Sequence, residues 1–478
     1  MRFFNSKVKM PKDAIWLVPG LRIKRWFALI VLGSVLAAIG ITLLFKLEPI
    51  YFIVSTAKKI FHIVPAELAG LVFIGFGTYI FIQAWKKTNF SMLDLKGQRS
   101  QDAIGEALYR KMKLNHGPKI VAIGGGTGLS TMLRGIKKIT NNITAIVTVG
   151  DDGGSSGRLR EEMGILPPGD IRNCIAALAD DDDIVTQLFQ YRFRTGEGLE
   201  GHSFGNLFIT AMSAICGDMI TAIKESSKVL LIRGKVIPAT TDDMRLVAKM
   251  EDGSFVKGES HIPESGKKIV ELCSEPAVCK PSNEVIEAIN SADLIILGPG
   301  SLYTSIIPNL LVEGVSKAIE ASKAKKIYIC NIMTQPGETD NYSVSDHLKA
   351  IFKHMEKSGA KGFKEEGRPF VDAVLINNQL PNNLAKKYEE KDSLPVEVDS
   401  GEIKKLGVEI VAAKLIEDNK EGFVRHSPVR VAKNIYYWFK KSSKKNQYTI
   451  ITKSTAMARN QAESSEENEE KRKENSKL

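Results

Sequence analysis

The chain has 478 residues, 43% of them hydrophobic and 25% charged, so it is neither disordered nor fibrous and has material for a core. That length exceeds the usual single-domain range and predicts more than one unit. Five scattered cysteines without a CxxC pair exclude a disulfide framework or zinc site and read as buried thiols in a reducing compartment.

The formal net charge is +11, and its meaning depends on where the basic residues lie. Residues 1–25 form a basic N-terminal segment with seven Lys or Arg. Residues 26–45 then run for 20 residues without a charge, enough to cross roughly 30 Å of hydrocarbon. Residues 66–85 are equally long, with Glu67 at the edge and Trp26 and Trp85 at the outer ends of the pair, where indoles prefer the interface. The connecting loop, 46–65, holds three lysines, and seven more Lys or Arg follow by residue 113. Basic residues concentrate on the cytoplasmic side of such spans. The expectation is therefore a two-helix transmembrane hairpin with both termini cytoplasmic in the cell membrane. Much of the positive charge then faces anionic lipid, and no nucleic-acid partner is needed to explain it.

Residues 86–116 read as a juxtamembrane linker, and 441–478 as a charged, disordered tail that lacks the apolar content to order itself. Between them, 117–440 reads as one α/β domain. Apolar runs at 119–123, 143–149, 293–297, 326–330 and 371–376 suit strands buried on both faces. Helix candidates at 130–138, 283–291 and 310–322 separate them, which predicts a Rossmann-like, doubly wound, mostly parallel sheet. Ligands of such sheets sit beyond the carboxyl ends of the strands.

The first strand runs into Gly124, Gly125, Gly126, Thr127 and Gly128 before a helix, a place where backbone amides bind phosphate. The second ends at Asp151 and Asp152, acids placed for a ribose or, with phosphate, for Mg²⁺, followed by Ser155 and Ser156. Asp170 suits an N-cap, and Arg172 and Asn173 open the same helix, with Arg172 suited to a bidentate phosphate contact. The carboxylates 180–183 read as a solvated turn. His202, Ser203 and Asn206 open another helix. The one-residue spacing of His202 and Ser203 favours hydrogen bonding to backbone or ligand over a catalytic dyad. A second glycine loop carries Gly298, Gly300, Ser301, Tyr303 and Thr304, with Tyr303 read either as a base stacker or as a core tyrosine.

Taken in order, GGGTGLST, DDGGSSGRLR, PPGDIRN, GHSFGN, GPGSLYTSIIPNLL and CNIMTQPGETDNYSVSDHL resemble the bacterial gluconeogenesis factor family, relatives of 2-phospho-L-lactate transferase. The resemblance covers about residues 119–427. It implies a nucleotide-sugar ligand, UDP-N-acetylglucosamine or UDP-glucose, and a role in carbon metabolism, cell-envelope synthesis and cell shape. Cell-envelope or regulatory proteins are then candidate partners, and homo-oligomerisation stays open. The transferase relatives use a metal-binding aspartate in a motif like PDLDT, and this chain places Arg172 at the later acidic position. The expectation is a membrane-tethered nucleotide-sugar-binding regulator with no catalytic residue assigned, no required cofactor and no metal. The alternative is a metal-dependent transferase of a phosphate-linked group, for which Mg²⁺ is the candidate ion. An NAD-dependent dehydrogenase fails on the incomplete glycine fingerprint.

Overall fold

The structure is a computed structural model that describes residues 112–179, 183–361, 369–379, 393–417 and 424–443, with short stretches between residues 31 and 83. The chain forms two compact units, Met1–Lys113 and Leu114–Leu478. Most of both expected spans lies outside the described residues. Residues 31–36 and 74–79, which belong to them, are helical and exposed. Among the described residues no helix is long and apolar enough to cross a membrane. The tail from 444 onward and acids 180–182 also lie outside the described residues.

In the second unit, seven parallel strands form one sheet. They are β1 (Ile120–Gly124), β2 (Ile143–Val147), β3 (Lys235–Pro238), β7 (Leu294–Leu297), β8 (Lys325–Ile329), β9 (Ala373–Asn377) and β10 (Glu409–Ala413). Their order is β10-β9-β8-β7-β1-β2-β3. β1 and β7 are buried at every position, as strands covered on both faces must be. A separate antiparallel sheet, β5-β4-β6, is built from β4 (Arg245–Met250), β5 (Phe255–Lys257) and β6 (Ile269–Glu275).

All five strands read from sequence are present and form the contiguous middle of the sheet, β9-β8-β7-β1-β2. β3 and β10 lie at the two edges; β3 spans only four residues, and β10 is exposed or half-buried along its length. β4 alternates buried and exposed positions, the pattern of a half-solvated antiparallel strand. The helix read at 130–138 is α1 (Gly126–Ile136), which starts four residues earlier inside the glycine loop. Leu129, Met132, Leu133 and Ile136 are its buried face, each contributing about 1.5–3 kcal/mol by burial. The helix at 283–291 is present with those bounds. The one read at 310–322 is instead two short helices, Ile307–Leu311 and Val315–Ala321, separated by Gly314 at φ 75° and preceded by a π-helical turn (Leu302–Ile306). Of the five thiols, Cys174, Cys279 and Cys330 are buried, while Cys216 and Cys273 are only half-buried.

Candidate functional site

The strand order reverses at β1, which has β2 on one side and β7 on the other. The loops leaving β1 and β7 therefore diverge and open a crevice at their carboxyl ends. A cleft of about 750 Å³ lies there, between Gly126, Thr127 and Gly128 on one side and Pro299, Gly300 and Ser301 on the other. Asn331 and Gln335 form a third wall, with Arg425 and His426 beyond. Asn331 donates to the Gly300 carbonyl at 2.9 Å, and Gln335 donates to Ser301 Oγ at 2.8 Å, which ties this wall to the second glycine loop.

The first intrahelical bond of α1 is donated by Leu129, to Gly125, so the amides of Thr127 and Gly128 precede the hydrogen-bonded ladder at the cleft. The amide of Gly126 is already engaged, donating to Asp170 Oδ2 at 2.7 Å. Asp170 lies in the first turn of α3 (Gly169–Leu178), which follows α2 (Gly154–Met163) in the chain. The expectation that Asp170 caps its own helix fails, because Pro168 holds that position and Asp170 reaches across to α1 instead. Gly125 makes this bond sterically feasible: a β-carbon there would sit 2.5 Å from Asp170 Oδ2.

Four carboxylates line the cleft: Asp151, Asp170, Glu259 and Glu338. Burial pushes Asp170 up to about 6, with Asp151 adding repulsion and the Gly126 amide opposing the rise. Burial pushes Glu338 up to about 7, although it accepts from the Tyr303 amide and from Thr304 Oγ1, both at 3.2 Å. Glu259 rises to about 8, from burial first and then from the charges of Asp151, Asp152, Glu338 and Asp170. On the far wall, burial lowers His426 to about 4 and leaves its Nε2 without a partner.

Of the residues expected to bind ligand, the cleft gathers Gly126, Thr127, Gly128, Asp151, Asp170, Gly300, Ser301 and Thr304. Gly124 and Gly298 form the strand exits behind it. The remaining expected residues sit elsewhere. Both Asp152 oxygens accept backbone amides, from Glu259 and Ser260 at 2.9 Å, so this acid anchors the arrival of Glu259. Tyr303 is buried, with its hydroxyl 2.8 Å from that of Tyr342, so it is a core tyrosine and not a base stacker.

Ser155, His202 and Asn206 converge in a buried network off the cleft lining. Asn206 Nδ2 donates to Ser155 Oγ at 3.0 Å, which leaves the serine hydroxyl to donate to His202 Nδ1, also 3.0 Å away. Burial holds His202 below the usual imidazole range, consistent with an accepting Nδ1. Ser203 caps α4 (Phe204–Cys216) by accepting from the Asn206 amide. Arg172 donates to Ser203 Oγ and to Asn173 Oδ1, and its Nε is buried without a partner. It therefore joins α3 to α4 rather than pointing at the cleft rim. Its stem packs over Gly205, where a β-carbon would lie 2.8 Å from Cγ and Cδ. Ser156 is buried beneath Gly169, whose β-carbon would come 2.3 Å from Ser156 Oγ.

The reading of the strand ends did not single out Glu259, Glu338, Asn331, Gln335, Arg425 or His426. Asn331, Gln335 and Glu338 do lie in the CNIMTQPGETDN segment that carried part of the resemblance. Glu259 has no local signal, because it reaches the cleft from the antiparallel sheet that sequence periodicity did not reveal. Mg²⁺ is the candidate ion of the transferase alternative, and two of the acids expected to hold it are already bonded to backbone amides. Both Asp152 oxygens accept backbone amides, and one Asp170 oxygen accepts the Gly126 amide.

A doubly wound sheet with a glycine-lined crevice at its switch point defines a Rossmann-like ligand-binding domain. The comparison with known proteins narrows this class. The chain belongs to the CofD family: residues 120–416 match the family described as 2-phospho-L-lactate transferase CofD. The gluconeogenesis factor of Bacillus subtilis is 49% identical over 316 residues, 66% of this chain and 96% of that one. A protein of Nostoc sp. is 48% identical over 429 residues, 89% of this chain and 92% of its own, so the likeness there extends into the N-terminal unit. The crystal structure of a Bacillus halodurans protein is similar at 47% identity and a TM-score of 0.63, covering 67% of this chain and 99% of that one.

Proposed function

We propose that this chain is a nucleotide-sugar-binding regulator acting in gluconeogenic growth and cell-envelope synthesis, tethered to the membrane by its N-terminal unit. The observation that carries this reading is the pair of glycine loops at the switch point, with the amides of Thr127 and Gly128 ahead of the α1 ladder. A diphosphate against those amides leaves the remainder of a cleft of about 750 Å³ for a nucleoside and a sugar. The metabolic side rests on the names of relatives such as the Bacillus subtilis gluconeogenesis factor. The regulator reading is favoured over transfer because one Asp170 oxygen and both Asp152 oxygens are held by backbone amides.

Calorimetric titration with UDP-N-acetylglucosamine and UDP-glucose is expected to show saturable binding that a chelator leaves unchanged. At a hundredfold excess over Kd the ligand should add about 2.7 kcal/mol of stability. Absence of binding would reject the ligand class, and stoichiometric release of UDP on incubation with acceptors would make the chain a transferase. The tether has its own test. A cysteine introduced at Thr56 is expected to react with an impermeant maleimide on intact cells, while one in the C-terminal tail is not. The opposite labelling pattern would overturn the topology.

A further inference from the structure

Residues 428–443 form a helix that begins two residues beyond His426. Its inner face is apolar: Val431, Ala432, Ile435 and Trp438 are buried, and Trp438 Nε1 donates to Glu409 at 3.1 Å. Its first turn seats against α1 so closely that a β-carbon on Gly135 would clash with Pro428 O and with Ala432 Cβ. Among the described residues nothing packs on the opposite face. Val429, Lys433, Tyr437, Lys440 and Lys441 are all exposed, at the three- and four-residue spacings of one helical stripe. Val429 is 55% and Tyr437 72% exposed, so an aromatic ring and a branched aliphatic stand in water between ammonium groups. Lys440 Nζ lies 4.6 Å from the centre of the Tyr436 ring, which keeps that charge at the surface of the stripe.

Charge makes this face one-sided. Between Glu421 and Glu463 the chain has no carboxylate and nine Lys or Arg. Arg134 and Lys138 are exposed near the end of α1, against which the helix seats, and extend the basic surface. Among the described residues Glu409 is the carboxylate bonded to the helix; it is exposed but already engaged by Trp438, which sits on the helix's inner face. A solvated face of a globular domain usually mixes both signs of charge and leaves its aromatics inside.

We infer that the outer face of this helix is a docking surface for an anionic lipid bilayer. Lysines interleaved with Tyr437 and Val429 match a headgroup layer, where ammonium groups meet phosphates and the ring and isopropyl group enter the interfacial zone. A nucleic acid would be served by the charge alone and would leave Val429 without a role. The inference is independent of the N-terminal hairpin and of the cleft's ligand, since it concerns a surface of the second unit alone.

Residues 112–478 provide the test; they hold the family match at 120–416, and the similar Bacillus halodurans protein, covered to 99% by 67% of this chain, crystallised. Flotation is measured with vesicles of phosphatidylcholine and with vesicles in which about one third is phosphatidylglycerol. Binding is expected only to the anionic vesicles, and is expected to weaken with added salt. Each lysine at such a surface is worth about fivefold in partitioning, so Lys433→Glu with Lys440→Glu should weaken binding by about 25-fold or more. Both side chains are exposed, so the thermal midpoint should not move. Tyr437→Ser keeps every charge and is expected to reduce binding several-fold, which a purely electrostatic attraction would not show. Equal binding to neutral vesicles, an unaffected charge-reversed variant, or binding to an oligonucleotide duplex without binding to vesicles would each overturn the inference.

Discussion

Gly128→Ala is expected to lower nucleotide-sugar affinity at least about a hundredfold, the scale of about 2.7 kcal/mol lost from a site's geometry. The cause is a single methyl group. A β-carbon at Gly128 would lie 2.6 Å from the Pro299 carbonyl oxygen, 2.9 Å from its carbon and 3.0 Å from the Gly300 nitrogen. These are backbone atoms of the facing loop, so no side chain can swing aside. The two loops must separate at the point where their amides define the cleft. Overpacking of this kind costs about 1–3 kcal/mol of stability as well. Gly154→Ala is the control, because Gly154 sits at φ 48° with nothing within 4 Å of its β-carbon. It should cost about 1–2 kcal/mol of left-handed backbone strain while leaving affinity intact. Gly126 is a poorer probe, since its φ of 65° makes any larger residue strained whether or not a ligand approaches. Calorimetry and thermal unfolding on both variants separate the effects. Equal affinity losses in the two would mean that the loops do not form the site.

The central strands were legible because burial on both faces forces long apolar runs such as Ile120–Gly124 and Leu294–Leu297. The glycine loops were legible because they follow those runs directly. Sequence order could not say which polar groups would face each other across space. Asp170 looked like a cap of its own helix and serves α1, 44 residues away in the chain. Arg172 looked like a phosphate ligand and instead bonds Ser203, so the guanidinium that argued against metal-dependent transfer acts through the α3–α4 junction. Ser155 and His202 were read separately, and the fold brings them to 3.0 Å. Each of these pairings depends on how α2, α3 and α4 pack, which periodicity along one segment does not encode. Glu259 was invisible for a further reason, since it rides on the antiparallel sheet and is held in place by the two amides that bind Asp152.

Glu259 also sets the pH response of the site. Its carboxyl is raised from 4.5 to about 8, by burial and then by the charges of Asp151, Asp152, Glu338 and Asp170. In the folded protein it keeps its proton at neutral pH, whereas the unfolded chain gives it up near 4.5. Such a group contributes stability that is fully present below its unfolded value, declines as pH rises, and is gone once pH passes about 8. Glu338 and Asp170, raised to about 7 and about 6, act with the same sign. The stability of the wild-type unit should therefore fall between pH 5 and pH 8. Glu259→Gln mimics the protonated form at every pH and should fall less. At pH 8 the variant should be more stable by about 2 kcal/mol, after allowing for solvent screening of a half-buried group. Ligand binding should follow the same titration from the other side. An anionic diphosphate in this cleft is repelled by ionised Glu259, so wild-type affinity should rise as pH falls from about 9 toward 6, while the glutamine variant responds weakly. Urea unfolding and calorimetry across this range read the two effects independently. Parallel pH profiles for wild type and Glu259→Gln in both measurements would show that Glu259 is ionised throughout and that the cleft carries a fixed negative charge at neutral pH.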